Sequence, residues 1–160
     1  MSPYHLAQIN IGRLHRPLEA PETAEFTDAL DRINELAEAS PGFVWRLKDE
    51  AGNSSSYVAV PGHEDPLDIV NFSVWEDLES LKNFMYKTDH VGFLRRRTEW
   101  FERSEEVVTA LWWIPAGTTP SIIEAYVRLE KLRANGSSEE AWSLTRPLPP
   151  PTCDVRPGSD

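Results

Sequence analysis

The chain has 160 residues, the usual length of one domain, and its 26 acidic and 16 basic residues give a formal net charge of -10. Because this charge repels phosphate backbones and anionic lipids, neither nucleic acid nor a membrane is an expected partner. No apolar run approaches the roughly 20 residues of a membrane helix, and the N-terminal pattern is not that of a signal peptide, so the cytoplasm is the expected location. The only cysteine, Cys153, excludes an internal disulfide and a cysteine-based metal cluster.

The first part of the chain alternates between strand and helix patterns. YHLAQINIGRL, at residues 4–14, has an apolar period of two and predicts a first strand. From Pro21 the apolar positions recur at helical spacing until SPG at residues 40–42, which predicts a first helix. GFVWRLKD, at residues 42–49, predicts a second strand, and AGNSSS, at residues 51–56, predicts a loop.

The second part repeats the alternation. LDIVNFSVW, at residues 67–75, predicts a third strand, and EDLESLKNFMY predicts a second helix that Thr88 or Asp89, as an N-cap, restarts at His90. VVTALWWIPAG, at residues 107–117, predicts a fourth strand, and a last helix opens after Pro120 and ends at Gly136. Residues 146–160 are rich in proline and are expected to form a flexible tail after a domain of residues 1–145.

The predicted order β-α-β-β-α-β is that of an α+β, ferredoxin-like split βαβ fold, with a four-stranded antiparallel sheet and an extra C-terminal helix. If Ala7, Ile9 and Phe72 pack under the helices, the opposite face is left open. That face then carries Gln8, Asn10, Ile69, Asn71, Ser73, Trp75 and either Trp112 or Trp113. Because it is too apolar for open water, we expect a second copy to cover it, giving a homodimer with a cavity between the two sheets.

Several stretches of the sequence resemble a known family. LAQINIGRL, GFVWRL, NFSVWEDLESLKNFMYKTDH, RRRTEWF and ALWWIPAGTTPSIIEAYVRLEKLRANG, within residues 4–144, are similar to an uncharacterised domain-of-unknown-function family of the dimeric α/β-barrel superfamily. The resemblance implies a dimeric α/β barrel of the antibiotic biosynthesis monooxygenase type. Members of this superfamily include cofactor-independent monooxygenases of secondary metabolism, haem-binding enzymes, polyketide cyclases, isomerases and stress-response proteins, so the resemblance implies a fold more firmly than an activity.

The stretch YKTDHVGFLRRRTEWF places polar groups on an apolar helical stripe. On a helix that starts at His90, positions 90, 93, 94, 97, 100 and 101 share one side, so His90 and Arg97 lie beside Phe93 and Trp100. His90 can be a structural residue, a general acid or base, or an axial haem ligand. Tyr86, four residues earlier, can meet His90 if the helix continues. Arg97 needs an acceptor or an anionic ligand in such a setting.

Motifs for common cofactors are missing from the sequence. It contains no HExxH, no CxxC, no GxGxxG and no P-loop. We therefore expect no metal and no cofactor, with haem held by His90 as the alternative.

These observations favour an enzyme that acts on a small hydrophobic or aromatic, polyketide-like metabolite. The expected reaction is either a cofactor-independent oxygenation or an isomerisation or cyclisation by acid/base chemistry. The expected catalytic residues are His90, Arg97 and Tyr86. The expected substrate-binding residues are Gln8, Asn10, Trp45, Asn71, Ser73, Trp75, Phe93, Trp100 and Trp113. A haem protein and a non-catalytic ligand-binding or stress-response module remain alternatives.

Overall fold

The computed structural model describes residues 2–48, 62, 64–88 and 90–152. Within them the chain forms the strands β1 (Tyr4–Arg13), β2 (Phe43–Arg46), β3 (Asp68–Trp75) and β4 (Thr109–Pro115). It also forms the helices α1 (Ala24–Ala39), α2 (Leu78–Lys87), α3 (His90–Arg95), α4 (Arg97–Trp100) and α5 (Ile122–Asn135). The predicted loop at residues 51–56, Asp89 and Cys153 lie outside the described residues.

The strands form one antiparallel sheet in the order β2-β3-β1-β4. This strand order, together with the alternation of strands and helices along the chain, is the ferredoxin-like split βαβ arrangement. The predicted fold class is therefore confirmed. The restart of the second helical segment at His90 and the separate C-terminal helix are confirmed as well.

One face of the sheet packs against α1 and α2. Leu6, Trp75 and Leu111 on this face share an apolar cluster with Ala37 of α1 and Leu81 of α2. By the alternation of side chains along β1 and β3, this is also the face that carries the amide side chains of both strands. We call it the amide-bearing face.

The opposite face of the sheet packs against α5. Ile9, Phe72 and Trp112 are almost completely buried there, in one cluster with Leu129 and Leu132 of α5. The expectation that a second copy covers the amide-bearing face is therefore wrong, because α1 and α2 of the same chain cover it. Homodimerisation itself stays a prediction, and a second copy has to use another surface.

A bulge in β2 changes which side chains face α1. The partners of Phe43 and Trp45 are consecutive residues of β3, rather than residues two apart, so Val44 is an extra residue in β2. Trp45 therefore faces the α5 side of the sheet, where its ring lies 5.2 Å from that of Phe72. Arg46 faces the α1 side, where its Nε donates to Glu38.

The start of the proline-rich tail lies against the domain. Leu148 packs against the apolar cluster that includes Trp142, and the Leu148 carbonyl accepts a hydrogen bond of 3.0 Å from Nε1 of Trp113. Leu148 is half-buried in this contact, whereas the other residues from 146 to 152 are exposed. The rest of the predicted flexible tail, residues 153–160, lies outside the described residues.

No helix in the described part of the chain has both the length and the apolar character that a bilayer crossing requires.

Gly42, which connects α1 to β2, provides a test of how closely these elements approach α2. Gly42 and Gly117 both have positive φ angles, 83° and 85°. A Cβ at Gly42 would overlap the side chain of Ser80 on α2, whereas a Cβ at Gly117 would meet no atom within 4 Å. We predict that Gly117→Ala lowers the free energy of unfolding by about 1–2 kcal/mol through backbone strain alone. Gly42→Ala should lose about 1–3 kcal/mol more because of the overlap.

Urea unfolding of the two variants measures this difference directly. Equal losses for Gly42→Ala and Gly117→Ala would contradict the close contact between the α1–β2 connection and α2.

Candidate functional site

A cleft lies between the amide-bearing face and the helices α1 and α3. It has two adjoining parts of about 140 Å³ and 110 Å³, which share the lining residues Asn10, Ile33, Asn34, Asn71, His90 and Leu94. We call the larger part, which includes Arg97, the Arg97 lobe, and the smaller part, which includes Arg46, the Arg46 lobe. A cavity of about 150 Å³ in another protein binds benzene, so each lobe has roughly the volume of one six-membered ring.

The walls of both lobes are mainly apolar. The Arg97 lobe is lined by Phe26 and Leu30 from α1 and by Phe93 and Phe101 from the chain around α3 and α4. The wall of the Arg46 lobe includes Phe43, Trp75, Leu81, Phe84 and Met85. Aromatic walls with a few polar groups are typical of sites for small organic molecules.

Polar side chains of β1 and β3 form the floor of the cleft. Because Gln8 lies opposite Ser73 across these strands, its Nε2 can donate to both Asn71 Oδ1, at 2.7 Å, and Ser73 Oγ, at 3.0 Å. Ser73 Oγ also accepts a 3.0 Å hydrogen bond from Nε1 of Trp75. Asn10 Nδ2 donates to Thr109 Oγ1 at 2.6 Å. The floor is thus ordered by its own hydrogen bonds, while the Nδ2 of Asn71 has no partner among the described residues.

His90 lies where the two lobes meet, at the first position of α3. Its ring centroid is 4.7 Å from that of Phe84, and its backbone N–H donates to Thr88 Oγ1 at 3.3 Å. The Nδ1 atom of His90 is buried and has no hydrogen-bond partner among the described residues. Burial lowers the pKa of His90 below its usual value, although the Met85 backbone nearby partly opposes the shift. Burial thus favours the neutral imidazole, which can accept a proton.

The three consecutive arginines of the chain have different surroundings. Arg96 forms ion pairs with Glu25, at 2.7 Å, and Glu99, and its guanidinium lies 4.8 Å from the ring centroid of Trp100. Arg97 is exposed, lines the Arg97 lobe and has no ion pair within the described part of the chain. It is therefore free to attract a negatively charged group that enters this lobe. Arg95 is exposed and lines neither lobe.

Two polar residues of the cleft, Asn34 and Arg46, are missed by the sequence analysis. Asn34 of α1 lines both lobes, and its Nδ2 is buried with no partner among the described residues. A signal for it exists, since Asn34 follows Phe26 and Leu30 at four-residue steps along the apolar side of α1. Arg46 reaches the cleft only because of the bulge in β2, which strict alternation of side chains does not predict.

Some of the predicted site residues are not in the cleft. Tyr86 is 53% exposed and lines neither lobe. Trp45 lies on the α5 side of the sheet, and Trp100 is buried next to Phe26 behind the wall of the Arg97 lobe. Trp113 is on the amide-bearing face but lines neither lobe, and its Nε1 donates to the Leu148 carbonyl instead.

The structure brings the other predicted residues together around the cleft: His90, Arg97, Phe93, Gln8, Asn10, Asn71, Ser73 and Trp75. Their roles in binding or catalysis stay predictions.

Three solved structures resemble the chain at low sequence identity. A cofactor-independent oxygenase from Streptomyces nogalater, SnoaB, is 18% identical with a TM-score of 0.40, over 72% of this chain and 95% of its own. A protein from Pseudomonas aeruginosa is 16% identical with a TM-score of 0.46, over 74% and 98%. A conserved protein from Methanosarcina mazei is 14% identical with a TM-score of 0.46, over 71% and 93%.

A family model described as Domain of unknown function (DUF3291) matches residues 5–157 of the chain. No curated protein is significantly similar to this chain.

Proposed function

Since the chain belongs to the DUF3291 family, whose description gives no activity, we propose its function from the cleft. It is an enzyme that binds a small, planar, partly oxygenated aromatic molecule and uses His90 to remove a proton from it. The observation that carries this proposal is an imidazole whose buried Nδ1 has no hydrogen-bond partner among the described residues, placed where two apolar lobes meet over a floor of amides.

The dimensions of the cleft indicate the size of the substrate. Two adjoining lobes of about 140 Å³ and 110 Å³ suit a molecule with two or more rings that spans both. The aromatic walls contact the faces and edges of such rings, and the amides of Asn10 and Asn71 bind its oxygen substituents. A flat phenol or an enolisable polyketide fragment has this shape and these groups.

Proton removal is the first step of each reaction considered. His90 accepts a proton from an acidic C–H or phenol O–H, which leaves an enolate or phenolate in the cleft. In the leading proposal this electron-rich anion reacts with dioxygen, so that a CH₂ group becomes C=O and the second oxygen atom leaves as water. The substrate supplies all the electrons, so this reaction needs no metal or organic cofactor. Without dioxygen, return of the proton at another carbon gives isomerisation, or attack by the carbanion gives cyclisation.

The experiment that tests this proposal is oxygen uptake by the purified protein with a panel of naphthalenediols and enolisable aromatic ketones. We expect uptake with at least one compound, and transfer of one ¹⁸O atom from labelled dioxygen into the product. Proton exchange at the acidic carbon without oxygen uptake would point to isomerisation or cyclisation instead. A protein that shows neither reaction, yet binds members of the panel, would be a binding module and would contradict the proposed enzyme.

The haem alternative fits the cleft poorly. Each lobe holds about one six-membered ring, whereas a porphyrin is a macrocycle of four pyrrole rings. A Soret band that develops on haem titration and disappears in a His90→Gln variant would restore this alternative.

A further inference from the structure

Residues with unpaired polar atoms cluster around the Arg46 lobe. Seven buried side-chain nitrogen or oxygen atoms in the described part of the chain have no hydrogen-bond partner. Three of them belong to residues that line this one lobe: Nδ2 of Asn34, Nη1 of Arg46 and Nδ1 of His90. Such atoms are few in folded proteins, because leaving them unpaired is unfavourable, and a group of them indicates a missing partner.

The chemistry of these atoms defines what the missing partner must offer. An amide Nδ2 and a guanidinium Nη1 can only donate hydrogen bonds. Among the described residues that line the Arg46 lobe there is no aspartate or glutamate that could accept from them. The partner is therefore an oxygen atom that accepts hydrogen bonds, and the positive charge of Arg46 favours an oxygen that carries negative charge.

Arg46 is held in place for such a role. Its side chain is 12% exposed, and its Nε donates to Glu38 of α1 at 2.6 Å. The same interaction lowers the pKa of the Glu38 carboxyl, so the ion pair persists at neutral pH. Glu38 therefore binds one edge of the guanidinium and leaves Nη1 available to another acceptor.

We propose that Asn34 and Arg46 together bind the substrate oxygen that becomes negatively charged when His90 removes a proton. This inference rests on the proposed function and deepens it by defining the substrate class. The acidic hydrogen of the substrate is either on a phenol oxygen or on a carbon next to a carbonyl group. The phenol or carbonyl oxygen lies in the Arg46 lobe. The rest of the substrate's ring system lies in the Arg97 lobe. Donors aimed at a developing oxyanion lower the energy of the transition state for its formation.

The test compares two probes of similar size, 1-naphthoate and 1-naphthalenemethanol, by equilibrium dialysis. The carboxylate of 1-naphthoate stands in for the oxyanion. We expect the wild type to bind 1-naphthoate at least about tenfold more tightly than the neutral probe, since hydrogen bonds to charged groups have effects of this size. Arg46→Met and Asn34→Leu should each remove most of this preference.

Two control variants separate direct contact from loss of structure. Asn83→Leu removes another amide, whose buried oxygen also has no partner among the residues that the structure describes, but Asn83 lines neither lobe, so the preference should persist. Glu38→Gln removes the ion pair and keeps the guanidinium, so most of the preference should also persist. Thermal unfolding of each variant verifies that it is folded, and Asn34→Leu tests the proposal independently of the ion pair.

The proposal is overturned if the wild type does not prefer the carboxylate, or if Arg46→Met and Asn34→Leu bind it as the wild type does. Direct contact between Arg46 and the carboxylate is also refuted if Glu38→Gln abolishes the preference as completely as Arg46→Met does. If the wild type prefers the carboxylate but turns over no substrate, the proposed enzyme is refuted and the oxygen-binding role of Asn34 and Arg46 stands. If Arg46→Met and Asn34→Leu both turn over a substrate as fast as the wild type, the oxygen-binding role of Asn34 and Arg46 is refuted and the proposed enzyme stands.

Discussion

Replacing His90 with glutamine is expected to lower kcat by about 10²–10⁴-fold, the usual contribution of a positioned general base. Glutamine retains a polar group of similar size but cannot accept the proton. The apolar surroundings of His90 and its contact with Phe84 remain, so binding of the substrate should change much less than the rate. Steady-state kinetics with any substrate found by oxygen uptake measures both quantities.

A second histidine provides the matched control for His90→Gln. His15 is exposed, contacts the Thr98 carbonyl through Nε2 at 3.1 Å and lines neither lobe. His15→Gln should leave kcat unchanged. If His90→Gln retains wild-type kcat while remaining folded, His90 is a structural residue.

The pH dependence of the wild type follows from the protonation state that a base requires. Only the neutral form of His90 can accept a proton, and burial lowers its pKa below the usual value of about 6.5. The rate should therefore rise with pH through a pKa below that value and stay level across neutral pH. In the His90→Gln variant this rise should be absent.

Replacing Leu129 with alanine is expected to lower the free energy of unfolding by about 2–5 kcal/mol, the usual cost of truncating a fully buried leucine. Leu129 of α5 is 0% exposed and packs with Ile9 and Trp112 on the face of the sheet opposite the cleft. A large loss would show that α5 belongs to the core of the single chain. Urea unfolding at several protein concentrations measures it and reveals any contribution from association.

Another apolar residue of the same helix provides the control for Leu129→Ala. Ile123 is 65% exposed, so Ile123→Ala should change the stability by no more than about 0.5 kcal/mol. If both variants lose the same small amount, α5 does not cover the sheet in solution. That face of the sheet would then be available to a second copy.

Periodicity along the chain is sufficient to predict the strands, the helices and their order. Ala7, Ile9 and Ile11 alternate with Gln8 and Asn10, and this alternation assigns each side chain to one of two faces. The stripe that begins at His90 and includes Phe93 and Arg97 likewise predicts the residues that face the cleft. These patterns are local, so the sequence alone is enough to recognise them.

Which helix covers which face is not a local property. Both faces of the sheet carry large apolar residues, for example Phe72 on one and Trp75 on the other, so either can pack under α1 and α2. The sequence leads to the prediction that the aliphatic face packs under α1 and α2, and the structure shows the reverse. The bulge at Val44 is equally hidden, because one extra residue in β2 exchanges the directions of Trp45 and Arg46 without any glycine or proline to mark it.

The most direct test of the account is a crystal structure of the protein grown with 1-naphthoate. We expect the naphthalene ring inside the cleft of one chain, between the amide-bearing face and α1, with the carboxylate near Asn34 and Arg46. A probe seated between two copies, or a cleft closed by the protein's own side chains, would contradict a ligand site within the single chain.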